Sequence, residues 1–302
     1  MVTGYLHPLY PESLSEWGTP RKLPRSGGWI LERRIPESSY HDAMGCYPLF
    51  FCQDWPQLQA DLEEIGDELV SLSLVTDPFG DYDEAYLQRC FRDEVIPFKK
   101  HYIVDLQFPV DKIGSSGHRK HARRALRIVQ VQVCEDPTQF TETWSRLYGQ
   151  LIERHKIEGI RAFSKAAFAK QLSIPGTTIL QAVYQGEIVG AQLYFMQNDI
   201  VHCHLGASSP VGYDVGAIYA LDRFSFEYLA GKTRWLDLGG GAGIASKGTD
   251  GLSQYKQGWS TATRTNFFCG RIFNQTKYSE IMEAKHLVAT DYFPAYRKGE
   301  YN

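Results

Sequence analysis

The spacing of apolar residues along the chain switches between two periods, which predicts a protein that mixes β-strands with α-helices. In the first third of the chain, strand-like runs lie at 28–35, 67–79 and 101–108, and helical patterns lie at 54–66 and 81–91. Asp54 precedes the first helical pattern as a candidate N-cap, and Gly66 ends it. This region therefore predicts alternating strands and helices.

The clearest pattern spans residues 177–208, where three apolar runs are separated by turn residues at 185–187 and 199. Such runs joined by tight turns predict a three-stranded meander. Amphipathic helices are predicted before it at 136–155 and 164–173, and after it at 215–231. A strand at 234–241, a short helix or turn at 251–260 and a last strand at 264–273 follow.

The densest charge lies between residues 112 and 127, where six Lys or Arg and two His occur without one acid. The whole chain has 32 Lys and Arg against 35 Asp and Glu, so the remainder is acidic. We expect Ser115 or Ser116 to cap a helix here that reaches about Ile128. A concentrated basic element on an acidic body indicates a focused anion site, and not the spread footprint of a protein that binds duplex DNA.

Composition places the chain among ordinary globular proteins. It has 302 residues, of which 43% are hydrophobic and 22% charged. No apolar run approaches the ~18 residues of a membrane helix, and the N-terminus lacks the pattern of a secretory signal, so we expect a cytoplasmic protein. The six cysteines are scattered without a C-x-x-C pair, which argues against a disulfide framework or a structural zinc site.

Three segments resemble the Fem-type branch of the GNAT-like acyltransferases, which includes peptidoglycan interpeptide-bridge aminoacyltransferases. They are the basic helix and strand HRKHARRALRIVQVQV, the meander IVGAQLYFMQNDIVHCHLGAS, and RWLDLGGG with GLSQYKQGWS. The last is the most specific, because it is similar to the family's "Asp-Leu-Gly-Gly, then Lys and Gly" signature. The resemblance covers residues 100–270, and the first hundred residues match only in general layout.

The resemblance implies a mixed α/β sheet and two GNAT-like halves in tandem. We expect a degenerate half at 1–112 and an acyltransferase half at 113–302, with 271–302 packing back on the first. The implied reaction joins an acyl or aminoacyl group, carried by acyl-CoA or aminoacyl-tRNA, to an amine as an amide. A cell-wall precursor or a small metabolite is the implied acceptor, and no metal or redox cofactor is implied.

Three residues are the predicted catalytic groups. Lys256 would place a positive charge beside the oxyanion that forms when an amine attacks an acyl carbonyl. Asp237 or His204 would position or deprotonate the acceptor amine. From the residues alone, a solvated surface lysine and an aspartate that caps the glycine turn remain alternatives.

The predicted binding residues fall into two groups. Ser208, Gly239, Gly240 and Tyr255 would line the substrate and donor site, although a glycine run after a strand is also simply a flexible turn. Arg119, Arg123 and Arg127 lie four apart on one predicted helix face. They would bind a donor phosphate, an acidic acceptor or the tRNA acceptor stem, and a solvated face is the alternative.

The donor is predicted from a missing motif. GNAT enzymes that bind acyl-CoA carry Q/R-x-x-G-x-G/A at the start of the helix after the meander, and residues 208–216 lack it. This departure favours an aminoacyl-tRNA or another unusual acyl carrier over ordinary acyl-CoA.

Three other hypotheses remain open from the sequence. One is a non-catalytic nucleic-acid-binding module that uses the same basic helix, and another is a catalytically dead relative. The third is a metal site at His202 and His204, which share a strand face but lack a third ligand at a diagnostic spacing.

Overall fold

The computed structural model describes residues 2–242, 250–287 and 290–300. In these ranges the strands are β1 Thr19–Lys22, β2 Trp29–Arg34, β3 His41–Gly45, β4 Ser71–Val75, β5 Glu94–Asp105, β6 Gln130–Val133, β7 Thr178–Tyr184, β8 Glu187–Gln197, β9 Ile200–Ser208, β10 Trp235–Asp237 and β11 Ala262–Ile272. The α-helices are α1 Leu9–Glu12, α2 Leu58–Ile65, α3 Glu84–Cys90, α4 Ser116–Ala125, α5 Thr141–His155, α6 Lys165–Leu172, α7 Pro210–Asp214, α8 Ala217–Leu229, α9 Gly251–Trp259 and α10 Gln275–Ala284.

The chain folds as two compact units. The meander unit comprises Met1–Tyr5, Lys99–Ile157 and Ala162–Arg264, and the N-terminal unit comprises Leu6–Phe98, Glu158–Arg161 and Thr265–Asn302. Each unit combines strands with helices, which confirms the predicted mixed α/β fold. The unit boundaries differ from the predicted halves, because the expected division at 112/113 falls inside the meander unit and each unit is assembled from three chain segments.

Within the meander unit the strand order is β5-β10-β9-β8-β7-β6. The short strand β10 runs antiparallel to β5 and parallel to β9, and the remaining neighbours are antiparallel. The parallel pairing ends at Asp237 opposite His202, whereas β9 continues to Ser208. The carboxyl end of β10 therefore opens beside β9, the kind of position where α/β sheets place ligands.

The predicted meander of β7, β8 and β9 is confirmed. Gln185 and Gly186 join β7 to β8 with φ of 52° and 83°, which are the left-handed angles of a two-residue hairpin turn. On one side of this sheet, α4 and α8 contribute to an apolar core that includes Phe226, Leu236 and Trp259. Burial of these side chains fixes the elements that carry the site.

The N-terminal unit has the strand order β1-β2-β3-β4-β11. Asp54 caps the helical segment before α2 as predicted, since its side chain accepts a hydrogen bond from the Gln57 amide. The strands β1 and β3 and the helices α1 and α10 were not predicted. The last described residues pack through Arg297, which ion-pairs with the buried Asp42 at 2.9 Å.

Two helices of the meander unit differ from expectation. The basic helix α4 is capped by Ser115 as predicted, but it ends at Ala125 and not near Ile128. The next apolar side chains, Leu126 and Ile128, are 38% and 55% exposed, so burial does not extend the helix further. A short helix α7 also precedes α8, and Gly216 separates them with a φ of 70°.

Candidate active site

Asp237, the last residue of β10, is the centre of a buried polar cluster. Its side chain is only 2% exposed. Its carboxylate accepts hydrogen bonds from Nδ1 of His101 on β5 at 2.9 Å, from Nδ1 of His202 on β9 at 3.3 Å, and from the Gly239 amide at 2.7 Å. The pairing of β10 with both neighbouring strands brings these groups together.

The electrostatics of this cluster keep Asp237 ionised. Burial alone would raise the pKa of the Asp237 carboxyl, but the charge and hydrogen bond of His101 and the hydrogen bond of His202 hold it well below its usual range. A carboxylate that is ionised and fully bonded orients its imidazole partners. It does not itself exchange protons near neutral pH.

The glycine loop after β10 is held by two lysines. Nζ of Lys256, on α9, donates to the Gly240 carbonyl at 2.7 Å, and Nζ of Lys99, on β5, donates to the Gly241 carbonyl at 3.2 Å. Gly239 has a φ of +82°, and a Cβ there would lie 3.0 Å from Nζ of Lys256. A side chain at Gly239 would thus strain the loop and press on the lysine.

Lys256 is partly removed from water and has acidic side chains nearby. Burial lowers the pKa of its ammonium, and Cys203, Asp237, Asp222 and Asp250 oppose that shift. The α9 helix that carries it starts at Asp250, whose side chain caps the Ser253 amide. This arrangement supplies a positive charge beside the glycine loop.

Tyr255, the residue before Lys256, joins a second buried network. Its hydroxyl donates to Asp222 Oδ2 at 2.5 Å, and Gln192 Nε2 donates to Asp222 Oδ1 at 2.6 Å. Burial raises the pKa of Asp222 to about 6, against the hydrogen bonds of both partners and the charge of Lys256. The hydrogen bond from Tyr255 to Asp222 therefore links α9 to α8 and helps to orient α9.

His204 is held differently from His202. The Tyr5 hydroxyl donates to its Nδ1 at 3.0 Å, and its Nε2 donates to Gln171 Oε1 at 3.4 Å. Burial, with His202 nearby, lowers the pKa of His204 to about 3, so the ring is neutral at physiological pH. Both nitrogens are engaged in this arrangement.

Ser208 lies at the end of β9, away from the Asp237 cluster. It borders a cleft of about 440 Å³ that is also lined by Gln150, Glu153, Arg154, Pro210 and Tyr213. The guanidinium carbon of Arg154 lies 4.2 Å from the centre of the Tyr213 ring. The cleft adjoins the start of α7, where Pro210 has no amide hydrogen.

The three predicted arginines do not share one helix face. Arg123 is exposed on α4, but Arg127 follows the last helical residue, Ala125. Arg119 is half-buried and donates to the Gly114 carbonyl. The helix is nevertheless tied to α9, because Nε2 of His118 donates to the Tyr255 carbonyl at 3.0 Å.

The metal site that the sequence left open at His202 and His204 can be compared with the structure, together with the neighbouring Cys203. Among the described residues, no group of three or more His, Cys, Asp or Glu is arranged to hold a metal ion. Burial raises the pKa of the Cys203 thiol to about 12, which disfavours a nucleophilic thiolate.

In the ranges that the structure describes, no helix is long and apolar enough to span a bilayer.

The structure brings Asp237, Gly239, Gly240 and Lys256 to one place, while their catalytic and binding roles stay predictions. Sequence reasoning missed His101, Lys99 and Asp222. Lys99 and His101 are two residues apart on β5, so their side chains lie on the same face of the strand. This spacing is the one sequence feature that could have linked them.

Solved structures with the same fold include FemX, with a TM-score of 0.67 and 15% identity over 91% of this chain and 93% of FemX. L-PGS from Bacillus licheniformis gives 0.60 at 14% identity over 96% and 100% of the two chains. The C-terminal domain of a putative lysylphosphatidylglycerol synthetase from Agrobacterium fabrum gives a TM-score of 0.63 at 13% identity, over 97% of this chain and 95% of that domain. No protein-family model and no curated protein sequence matches the chain. The structural likeness confirms that the chain shares the fold of FemX, as the Fem-type resemblance predicted.

Proposed function

We propose that the chain is an N-acyltransferase that joins an activated acyl or aminoacyl group to an amine. The observation that carries this proposal is the pairing of the buried Asp237 cluster with the glycine loop that Lys256 holds. Amide formation needs a group that stabilises an oxyanion and a group that takes a proton, placed side by side. The fold shared with FemX agrees with the Fem-type resemblance from which this reaction was predicted.

In this mechanism the amine attacks the acyl carbonyl and forms a tetrahedral intermediate. Lys256, whose Nζ binds a loop carbonyl in the present structure, turns to the developing oxyanion, where a positive charge in a dry site has its largest effect. Asp237 orients the imidazoles of His101 and His202, and an imidazole of this cluster receives the proton of the amine. No covalent acyl-enzyme is required.

For the donor, we propose an aminoacyl-tRNA or another unusual acyl carrier. A pyrophosphate prefers successive backbone amides at the start of a long helix. Here α7 has five residues, begins with Pro210, and ends with Asp214. The exposed Arg123, Arg124 and Arg127 supply positive charge for a nucleic-acid donor instead. A cell-wall precursor or a small metabolite is the proposed acceptor.

Native mass spectrometry tests the proposal directly. The purified protein is incubated separately with a panel of acyl-CoAs and with charged tRNAs, and each productive donor is then mixed with amino acids, short peptides and polyamines. We expect a complex with charged tRNA and an amide product with at least one amine. Tight 1:1 binding of acetyl-CoA would instead assign the protein to the ordinary acyl-CoA class.

A non-catalytic nucleic-acid-binding module is the second candidate, and the exposed arginines favour it. It differs from the first in measurable ways. Such a module binds charged and uncharged tRNA equally, loses affinity steeply as salt rises, and forms no amide.

A further inference from the structure

Two imidazoles, His101 on β5 and His202 on β9, contact Asp237, and the proposed mechanism requires one imidazole of this cluster to take the proton. We propose that His101 is the catalytic base that takes the proton from the attacking amine, with Asp237 as its positioning residue. This role rests on the proposed acyl transfer.

Asp237 fixes the proton on His101. Nδ1 of His101 lies 3.1 and 2.9 Å from the two oxygens of a carboxylate that is ionised, and an ionised carboxylate only accepts hydrogen bonds. Nδ1 therefore carries the hydrogen. In the neutral ring Nε2 is then the basic atom, which is the tautomer that a histidine base needs.

The geometry distinguishes His101 from His202. A Cβ on Gly240 would lie 3.6 Å from Cδ2 of His101, the ring atom bonded to Nε2. The basic edge of His101 thus faces the loop whose Gly240 carbonyl binds Lys256. The ring of His202 instead lies 5.6 Å, centre to centre, from the ring of Tyr5, and its bond to Asp237 is longer at 3.3 Å.

The charged groups around His101 fit this role. Lys99 on β5 and Lys256 on α9 are cationic, and Asp250 lies at the start of α9. Asp237 on β10 is anionic, and His202 on β9 is a second imidazole that contacts it. Asp237 stabilises the imidazolium that forms.

The proton balance closes within the reaction. The amine nitrogen forms a bond to the acyl carbon, and its proton passes to Nε2 of His101. The bond from the acyl carbon to the ester oxygen, or to the thioester sulfur, then breaks. The leaving group takes the proton from the imidazolium, which returns His101 to its neutral state.

Steady-state kinetics over pH 5–9 test the role with the donor and amine that the wild type uses. His101→Gln retains a donor for Asp237 but has no basic nitrogen, so we expect kcat to fall ~100- to 10,000-fold. The rise of rate with pH that reports deprotonation of the base should also disappear. His202→Gln should lose less than about tenfold and keep that rise. His41→Gln, an exposed change in the N-terminal unit, should match the wild type.

Nitrogen-15 NMR of the histidine side chains tests the role on the wild-type protein alone. It needs no substrate, and it does not depend on whether a variant folds. On the alkaline plateau, His101 should carry its hydrogen on Nδ1, and a hydrogen on Nε2 overturns the role. An active His101→Gln enzyme with an unchanged pH profile overturns the role but leaves acyl transfer standing. If the wild type forms no amide with any donor and amine, the proposed function fails and the role fails with it.

Discussion

At the scale of single residues, burial lowers the pKa of the Lys256 ammonium, while the Cys203 thiol and the three carboxyl groups of Asp237, Asp222 and Asp250 oppose that shift. We expect Lys256→Met to fold with a similar melting temperature and to lose ~100- to 1,000-fold in transfer rate, the usual loss for one oxyanion contact. Lys22→Met, an exposed change in the N-terminal unit, is the matched control and should remain fully active. Full activity of folded Lys256→Met would remove this lysine from the mechanism.

The buried Asp222 should make the stability of the protein depend on pH. Burial raises its pKa from 3.8 to about 6, so the folded protein binds this proton more tightly than the unfolded chain does. The contribution of Asp222 to stability is complete below about pH 4 and is lost as pH rises through about 6. A shift of two units corresponds to about 3 kcal/mol.

Urea denaturation of wild type and Asp222→Asn between pH 4 and 8 measures this contribution. The free energy of unfolding of the wild type, relative to the variant, should fall as pH rises and become constant above about pH 7. A difference that is independent of pH would show that Asp222 does not titrate in this window.

What the sequence revealed at this scale depended on distance along the chain. Asp237, Gly239, Gly240 and Lys256 fall within twenty residues of each other and were found as one motif. The contact between His101 and Asp237 joins residues 136 positions apart. Strand pairing creates that contact, and no local spacing rule encodes which strands will pair.

At the scale of elements, α4 shows how tertiary contacts change the meaning of a charge pattern. The spacing of Arg119, Arg123 and Arg127 predicted one convergent face. The helix ends before Arg127. Arg119 donates a hydrogen bond to the Gly114 carbonyl, so Arg119 has a structural role. Arg123, Arg124 and Arg127 remain as the exposed positive charges.

Replacement of those three arginines by Gln should weaken binding of labelled tRNA by about tenfold or more and reduce its salt dependence, because each phosphate contact adds ~0.7–0.9 to the slope. The melting temperature should change little, as expected for surface charges. The combined change of Lys22, Arg25 and Lys298 to Gln removes the same charge from the N-terminal unit. Equal losses in the two triple variants would point to net charge and not to α4.

At the scale of the whole molecule, the local elements were largely predictable but their grouping was not. Strands β5 and β11 each contribute residues to both compact units, so neither unit corresponds to one continuous stretch of sequence. The predicted cut at 112/113 follows from the family resemblance, which implies two halves in tandem. It falls after β5, a strand that forms part of the sheet of the meander unit.

A comparison of two fragments tests this organisation. A chain of 113–302 lacks β5, so β10 loses the partner that faces it from Ile103 to Asp105, and the core loses the buried Tyr102, Val104 and Leu106. Three buried side chains of this size contribute about 5–9 kcal/mol, comparable to the whole stability of a domain. We therefore expect 113–302 to be unfolded, whereas 99–264 retains the full sheet of the meander unit and unfolds cooperatively. Circular dichroism and the dispersion of amide NMR signals distinguish the two results. A well-dispersed spectrum from 113–302 would contradict the assignment of β5 to this unit.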